Sequence, residues 1–239
     1  MAPELILAFI VAACAGLMRG FAGVGSGMLM APFFVHAFGP VQTVGTIILI
    51  EVVATALLLP SVHKEIQWRT IGLMGLAAAV AMPLGSWLLV SLETSSLQFG
   101  VSLLVTVSAL LLMTGWRYEG RKPPLATFGV GAVSGLLMAL TSLGNPPVMM
   151  YLLSSRDSAA TNRANFTGYF AITLATLIVL MIINGLISRE VAIRAAMLIP
   201  VFLLTTWLGS RLFRQSSEQM YRRVALGILL LAGLYGMIR

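Results

Sequence analysis

Charge is what this chain has least of: Asp and Glu number 8, Lys and Arg 15, and charged residues make up 10% of 239, against about a quarter in a soluble domain. That scarcity excludes a water-soluble globular fold. The single cysteine, Cys14, sits in an apolar run, so neither a disulfide nor a cysteine-built metal cluster forms within one chain. Two distant histidines, His36 and His63, make a weak case for a metal. The formal charge of +7 does not point to nucleic acid, because Lys and Arg lie mainly in short connections between apolar segments, where they set topology. Alternation of polar and apolar residues over about ten positions is missing, which excludes barrel strands. No Lys or Arg precedes the first apolar run, Leu5 to Leu17, so it reads as a retained helix rather than a secretory signal.

What is present is hydrocarbon: 59% of the residues are hydrophobic. Apolar stretches at 40–60, 69–91, 95–116, 164–187, 191–210 and 220–238 each approach the ~20 residues that a helix needs to cross a bilayer. The expected fold is an all-α polytopic membrane protein. Into it falls the stretch Arg19-Gly20-Phe21-Ala22-Gly23-Val24-Gly25-Ser26-Gly27. Irregular backbone at membrane depth is tolerated only where it is buried in protein or lines a cavity.

The first 116 residues therefore read as a short helix from Glu4 to Met18, the glycine break, and a second short helix from Ser26 to Phe38. Full-length helices follow, from Pro40 to Pro60, across Pro83 and Gly85 with a kink expected at the proline, and from Ser95 to Trp116. Trp68 is placed to anchor at the interface. Residues 117–124 form a polar linker, expected to be cytoplasmic, and 125–239 repeat the plan. A run from Leu125 to Leu140, a break at Thr141-Ser142-Leu143-Gly144-Asn145-Pro146-Pro147 and a short run to Leu153 precede three more long segments. Ala15-Gly16-Leu17 and Ser134-Gly135-Leu136 match at an offset of 119, which sets Gly25 on Gly144 and Thr46 on Asn165; Leu84-Gly85-Ser86 and Leu208-Gly209-Ser210 match a few residues out of that register.

Suppose each broken pair is a hairpin. The loops at 61–69, 116–123, 154–163 and 211–223 then share one side with eleven basic residues, and the other side has Arg189, Arg194 and Arg239. Treating each pair as one interrupted crossing divides the same residues eight to six. The positive-inside rule favours the hairpins, with both termini outside. Three net crossings per half make the second half an inverted repeat of the first, the architecture of many secondary transporters, whose sites lie at discontinuous helices.

Ser26 and Asn145 are expected N-caps, Asn145 with Pro146 at the first helical position. Both breaks then open helix N-termini, which favour anions. Gly23, Gly25 and Gly27 would admit a ligand to backbone amides, or serve close helix packing. Gly144 is their counterpart in the second break. Arg19 would add a full positive charge. Glu51, in the middle of a membrane helix, is either a proton-coupling carboxylate or a buried partner of Arg19 or another polar neighbour. Thr46 and Asn165 are candidates to contact substrate. Arg163 is another, or a topology charge. Thr141 and Ser142 either line the site or serve packing.

Gly20 to Gly27 followed by Pro32, the Ile66-Gln67-Trp68 helix entry with Gly85 beyond it, Gly135 and Gly144-Asn145-Pro146-Pro147 resemble the TauE/SafE family of sulfite and organosulfonate exporters over nearly the whole chain. Val24 and Ser26 interrupt the denser glycine run that family members often carry. The resemblance implies transport of small sulfur-containing or carboxylate anions, coupled to an ion gradient, with no bound cofactor. The expected function is a secondary anion transporter of the bacterial cytoplasmic membrane, working by alternating access. Its expected partners are the anion, a coupling proton or other ion, and the bilayer. An anion channel is the alternative, and an intramembrane enzyme ranks below it because the histidines lie far from either break. Substrate, direction, coupling ion and oligomeric state stay open, a homodimer being one option.

Overall fold

A computed structural model describes residues 3–22, 25–114, 123–142, 145–152, 157, 159–213 and 230. Gly23, Gly144, most of the linker and nearly all of the 220–238 segment lie outside them. The described residues form α1 (Pro3–Ala22), α2 (Ser26–Phe38), α3 (Pro40–Val62), a 3-10 turn (His63–Glu65), α4 (Trp68–Ser91), α5 (Thr94–Met113), α6 (Pro124–Thr141), α7 (Asn145–Leu152), α8 (Ala159–Ile183) and α9 (Arg189–Phe213). Among the described residues there is no strand. Five segments, 40–65, 68–91, 124–141, 164–183 and 189–211, are long and apolar enough to cross a membrane.

The first arms are longer than the sequence reading allows. α1 has 20 residues and α6 has 18, about 30 and 27 Å at 1.5 Å per residue. Arg19 and Gly20 belong to the last turns of α1 rather than to the break. The reason is packing: a Cβ on Gly20 would meet the carbonyl oxygen of Thr206 in α9. Lipid tails are as apolar as the side chains, so helices here associate through small residues that let backbones approach. Only the second arms are short, α2 with 13 residues and α7 with 8.

Helix contacts are reciprocal between the halves. α1 packs on α9 and α6 on α4, α3 and α8 meet at the centre, and the α3–α9 contact answers α4–α8. Two glycine contacts show how closely this holds: a Cβ on Gly209 would strike the carbonyl oxygen of Leu17, and one on Gly85 the carbonyl oxygen of Leu136. These residues are the ones that the repeat sets opposite each other.

The start of α1, the end of α2 and the start of α9 share one end of the bundle, where Glu4, Leu5, Phe38, Glu190, Ile193, Arg194 and Met197 line a cavity of about 320 Å³. There Arg194 stacks on Phe38, 3.8 Å from the ring centroid, and donates to Gln42 at 3.0 Å. At another junction the α3–α4 connection meets the start of α8. Asn165 Oδ1 accepts from the Gln67 amide at 2.8 Å, its Nδ2 donates to Gln67 Oε1 at 3.2 Å, and Gln67 Nε2 donates to Asp157 at 3.2 Å. Outward faces are apolar, with Leu76, Val80, Trp87, Leu204 and Trp207 exposed, as a lipid-facing surface requires.

Candidate functional site

The first break centres on Gly25, whose φ of 93° places it in the left-handed region, which glycine enters without steric cost. Gly25 is therefore the N-cap of α2, and no side chain caps the helix. Ser26 is not the cap that the sequence reading assigned. It is the first helical residue, and its hydroxyl donates to Glu51 Oε1 instead. The first bond of the α2 ladder runs from the Leu29 amide to Gly25, so the amides of Ser26, Gly27 and Met28 precede it, in the position where helix N-termini receive anions.

The second break starts at Ser142, with φ 61° and its amide bonded to the Met138 carbonyl. A left-handed non-glycine residue costs of order 1–3 kcal/mol and persists where its surroundings dictate it. α7 begins at Asn145 itself, so this residue too stands inside the helix rather than at its cap, with Pro146 following. The two breaks abut: a Cβ on Gly27 would sit 3.1 Å from the Ser142 carbonyl oxygen and 3.8 Å from Ile47. Ser142 is buried, and its hydroxyl has no hydrogen-bond partner among the described residues.

Beside the first break stands Arg19, 2% exposed, with Glu51, the partner of Ser26, at 3%. Arg19 Nη1 lies 3.0 Å from Glu51 Oε2, an ion pair without the angles of a hydrogen bond. Nη2 donates to Thr55 at 3.1 Å, and Nε has no acceptor among the described residues. The guanidinium also lies over the Phe170 ring of α8, 5.0 Å from its centroid. α1, α2, α3 and α8 thus converge on one charged group. A guanidinium carries five N–H donors, and among the described residues only one directed bond, to Thr55, is spent. The remaining donors can take an oxyanion.

Arg19, Glu51 and Ser26 are therefore joined by direct contacts, with Gly25 and Gly27 flanking Ser26 and the Ser142 backbone against Gly27. Thr46 is fully buried on α3, its hydroxyl without a partner among the described residues. Asn165, its counterpart, spends both amide atoms on Gln67 rather than at this junction. Arg163 lies on α8. The side chains of Arg163 and Asn145 are outside the described set, as are Gly23 and Gly144 altogether. Thr55 and Phe170 are participants that the sequence reading missed. Phe170 had a signal, since it stands at the repeat offset of 119 from Glu51. Among the described residues no group of three His, Cys, Asp or Glu could hold a metal.

Comparison with known proteins bears on this geometry. Residues 8–236 match the family described as "Sulfite exporter TauE/SafE". The chain is 26% identical over 216 residues to the probable sulfite/organosulfonate exporter TauE of Cupriavidus necator, covering 87% of this chain and 80% of that protein. It is 25% identical over 221 residues to the probable inner membrane transporter protein TsaS of Comamonas testosteroni, covering 92% and 90%. No solved structure gives a significant match.

Proposed function

Since the chain belongs to the TauE/SafE family of membrane transporters, we propose that it is a secondary transporter carrying a small sulfur-containing or carboxylate anion, with sulfite and organosulfonates first among candidates. The observation that carries this reading is the buried Arg19 guanidinium paired with Glu51, which also accepts from Ser26 of the first break, with Arg19 donors left over among the described residues. Arg19, Gly25, Ser26, Gly27 and Ser142 form the anion site. Thr46, Gly23, Gly144, Asn145 and Arg163 are its further candidates, Asn165 supports α8 through Gln67, and Glu51 couples transport to an ion.

The reciprocal packing of α1 on α9 and α6 on α4 supports an inverted repeat. The shared cavity at the start of α1 and the end of α2 supports the hairpin reading of the first pair. In that arrangement the Gln67 end faces the cytoplasm, the Arg194 end and both termini face outside, and the membrane is the bacterial inner membrane. Depth agrees as well: Glu51 lies eleven residues into α3, roughly 16 Å along it, about half of a ~30 Å hydrocarbon core. Rocking of the halves about this site would give alternating access.

A thermal-shift screen of the purified protein against sulfite, sulfate, thiosulfate, sulfoacetate, taurine and small carboxylates tests the site. Stabilisation by one anion that vanishes in Arg19→Ala supports it. Stabilisation that survives the substitution moves Arg19 to a packing role.

A further inference from the structure

Arg19 is held from two sides by residues that the repeat makes equivalent. Glu51 and Phe170 stand 119 positions apart. One offers the guanidinium a carboxylate at 3.0 Å and the other an aromatic face at 5.0 Å. A carboxylate and a substrate oxyanion are chemically alike to a guanidinium. A ring face is different, since it attracts the cation through its quadrupole without consuming N–H donors.

We propose that the Glu51 carboxylate and the substrate compete for Arg19, so that a proton taken up by Glu51 releases the guanidinium to a monovalent oxyanion and the two are carried together. This rests on the reading of Arg19 as part of the anion site. The charge balance leads to it. Arg19 and ionised Glu51 sum to zero in a site with almost no solvent contact. Adding a monovalent anion leaves one net negative charge at membrane depth, which is expensive, and protonating Glu51 restores neutrality. A divalent anion would leave a negative charge even then, so the geometry selects monovalent sulfonates or hydrogen sulfite over dianions. The proton goes to a Glu51 oxygen, and no covalent bond of the substrate changes. Ser26, which donates to Glu51, is then free to donate to the anion. Phe170 positions Arg19 throughout the exchange.

Among the described residues little else competes for this role. The α5 and α6 ranges carry no charged side chain, α2 has only His36 at its far end, and α4 only Arg69 in its first turn. α9 keeps Arg189, Glu190 and Arg194 near its start and Arg211 near its end. On α8, the Tyr169 hydroxyl donates to Ser134 at 2.8 Å, and Arg163 stands near the helix start. The 3-10 turn's His63, Lys64 and Glu65 are exposed.

The test is calorimetric titration of the full-length protein in nanodiscs with methanesulfonate and with ethane-1,2-disulfonate, in two buffers of different ionisation enthalpy. Where Glu51 begins ionised, binding of methanesulfonate should take up about one proton, and affinity should rise about tenfold per unit fall in pH. Disulfonate should bind at least about tenfold more weakly. In Glu51→Gln, methanesulfonate should bind with no proton uptake and no pH dependence. Phe170→Leu should weaken binding in both backgrounds while Phe170→Tyr retains it. Binding that requires Arg19 yet takes up no proton, or that favours the dianion, overturns the competition and leaves the anion site standing. Binding unchanged in Arg19→Ala, or no binding of either sulfonate, overturns the site reading itself. Should Glu51→Gln fail to fold, the proton count on the unmodified protein decides alone.

Discussion

Arg19 Nη1 lies 3.0 Å from Glu51 Oε2, and both side chains are almost wholly withdrawn from solvent. Breaking a buried pair leaves an uncompensated charge and costs about 3–5 kcal/mol, whereas replacing both members by apolar residues of similar volume is often neutral. Glu51→Ala should therefore unfold more easily than the double variant Arg19→Met, Glu51→Leu. Reversible unfolding in micelles measures this. Additive losses in the double variant would mean that the two charges are not paired.

Gly209 and Gly85 each face a backbone carbonyl of the other half, while a Cβ on Gly129 would meet nothing within 4 Å. Gly209→Ala and Gly85→Ala should each cost about 1–3 kcal/mol through overpacking. Gly129→Ala should gain up to about 1 kcal/mol from helix propensity. Melting temperatures of the three variants decide, and equal shifts would contradict the packing.

Asn165 and Thr46 occupy equivalent repeat positions but do different work. Asn165→Ala removes both bonds to Gln67 and should cost about 0.5–1.5 kcal/mol, the net worth of a hydrogen bond whose other partner, the exposed Gln67, can turn to water. Thr46 has a buried hydroxyl without a partner among the described residues, so Thr46→Val removes an unsatisfied group and should leave stability unchanged or raised while weakening anion binding. A large stability loss in Thr46→Val, with anion affinity intact, would make the hydroxyl structural.

Lys64 and Glu190 are both exposed, beside the two junctions that the hairpin reading sets on opposite sides. In a Cys14→Ser background, an impermeant maleimide should label the Glu190→Cys variant in whole cells and the Lys64→Cys variant only after lysis. The reverse pattern would invert the topology.

Several features were legible in the sequence because they rest on local chemistry. Pro40 sets the start of α3, and the glycine matches at 16/135 and 85/209 mark backbone contacts between the halves; α2 and α7 do begin at Ser26 and Asn145, but as first helical residues and not as the expected caps. The end of α1 was not legible. Gly20 looks like part of a break, and only the nearby backbone of Thr206, far along the chain, shows it to be a packing position within a helix. Pairing of Arg19 with Glu51 was one of two open readings, since charge alone does not say which buried groups meet. The Asn165–Gln67 pair was invisible, because 98 positions separate two amides that carry no charge or periodic signature.

The most direct test of the central claim is counterflow in proteoliposomes. Vesicles preloaded with an unlabelled anion that the protein binds, and diluted into the same anion in labelled form, should show transient uptake above the equilibrium level, and Arg19→Ala should abolish it. Uptake that never exceeds equilibrium in the unmodified protein, or an overshoot that persists without Arg19, would contradict a carrier built around this residue.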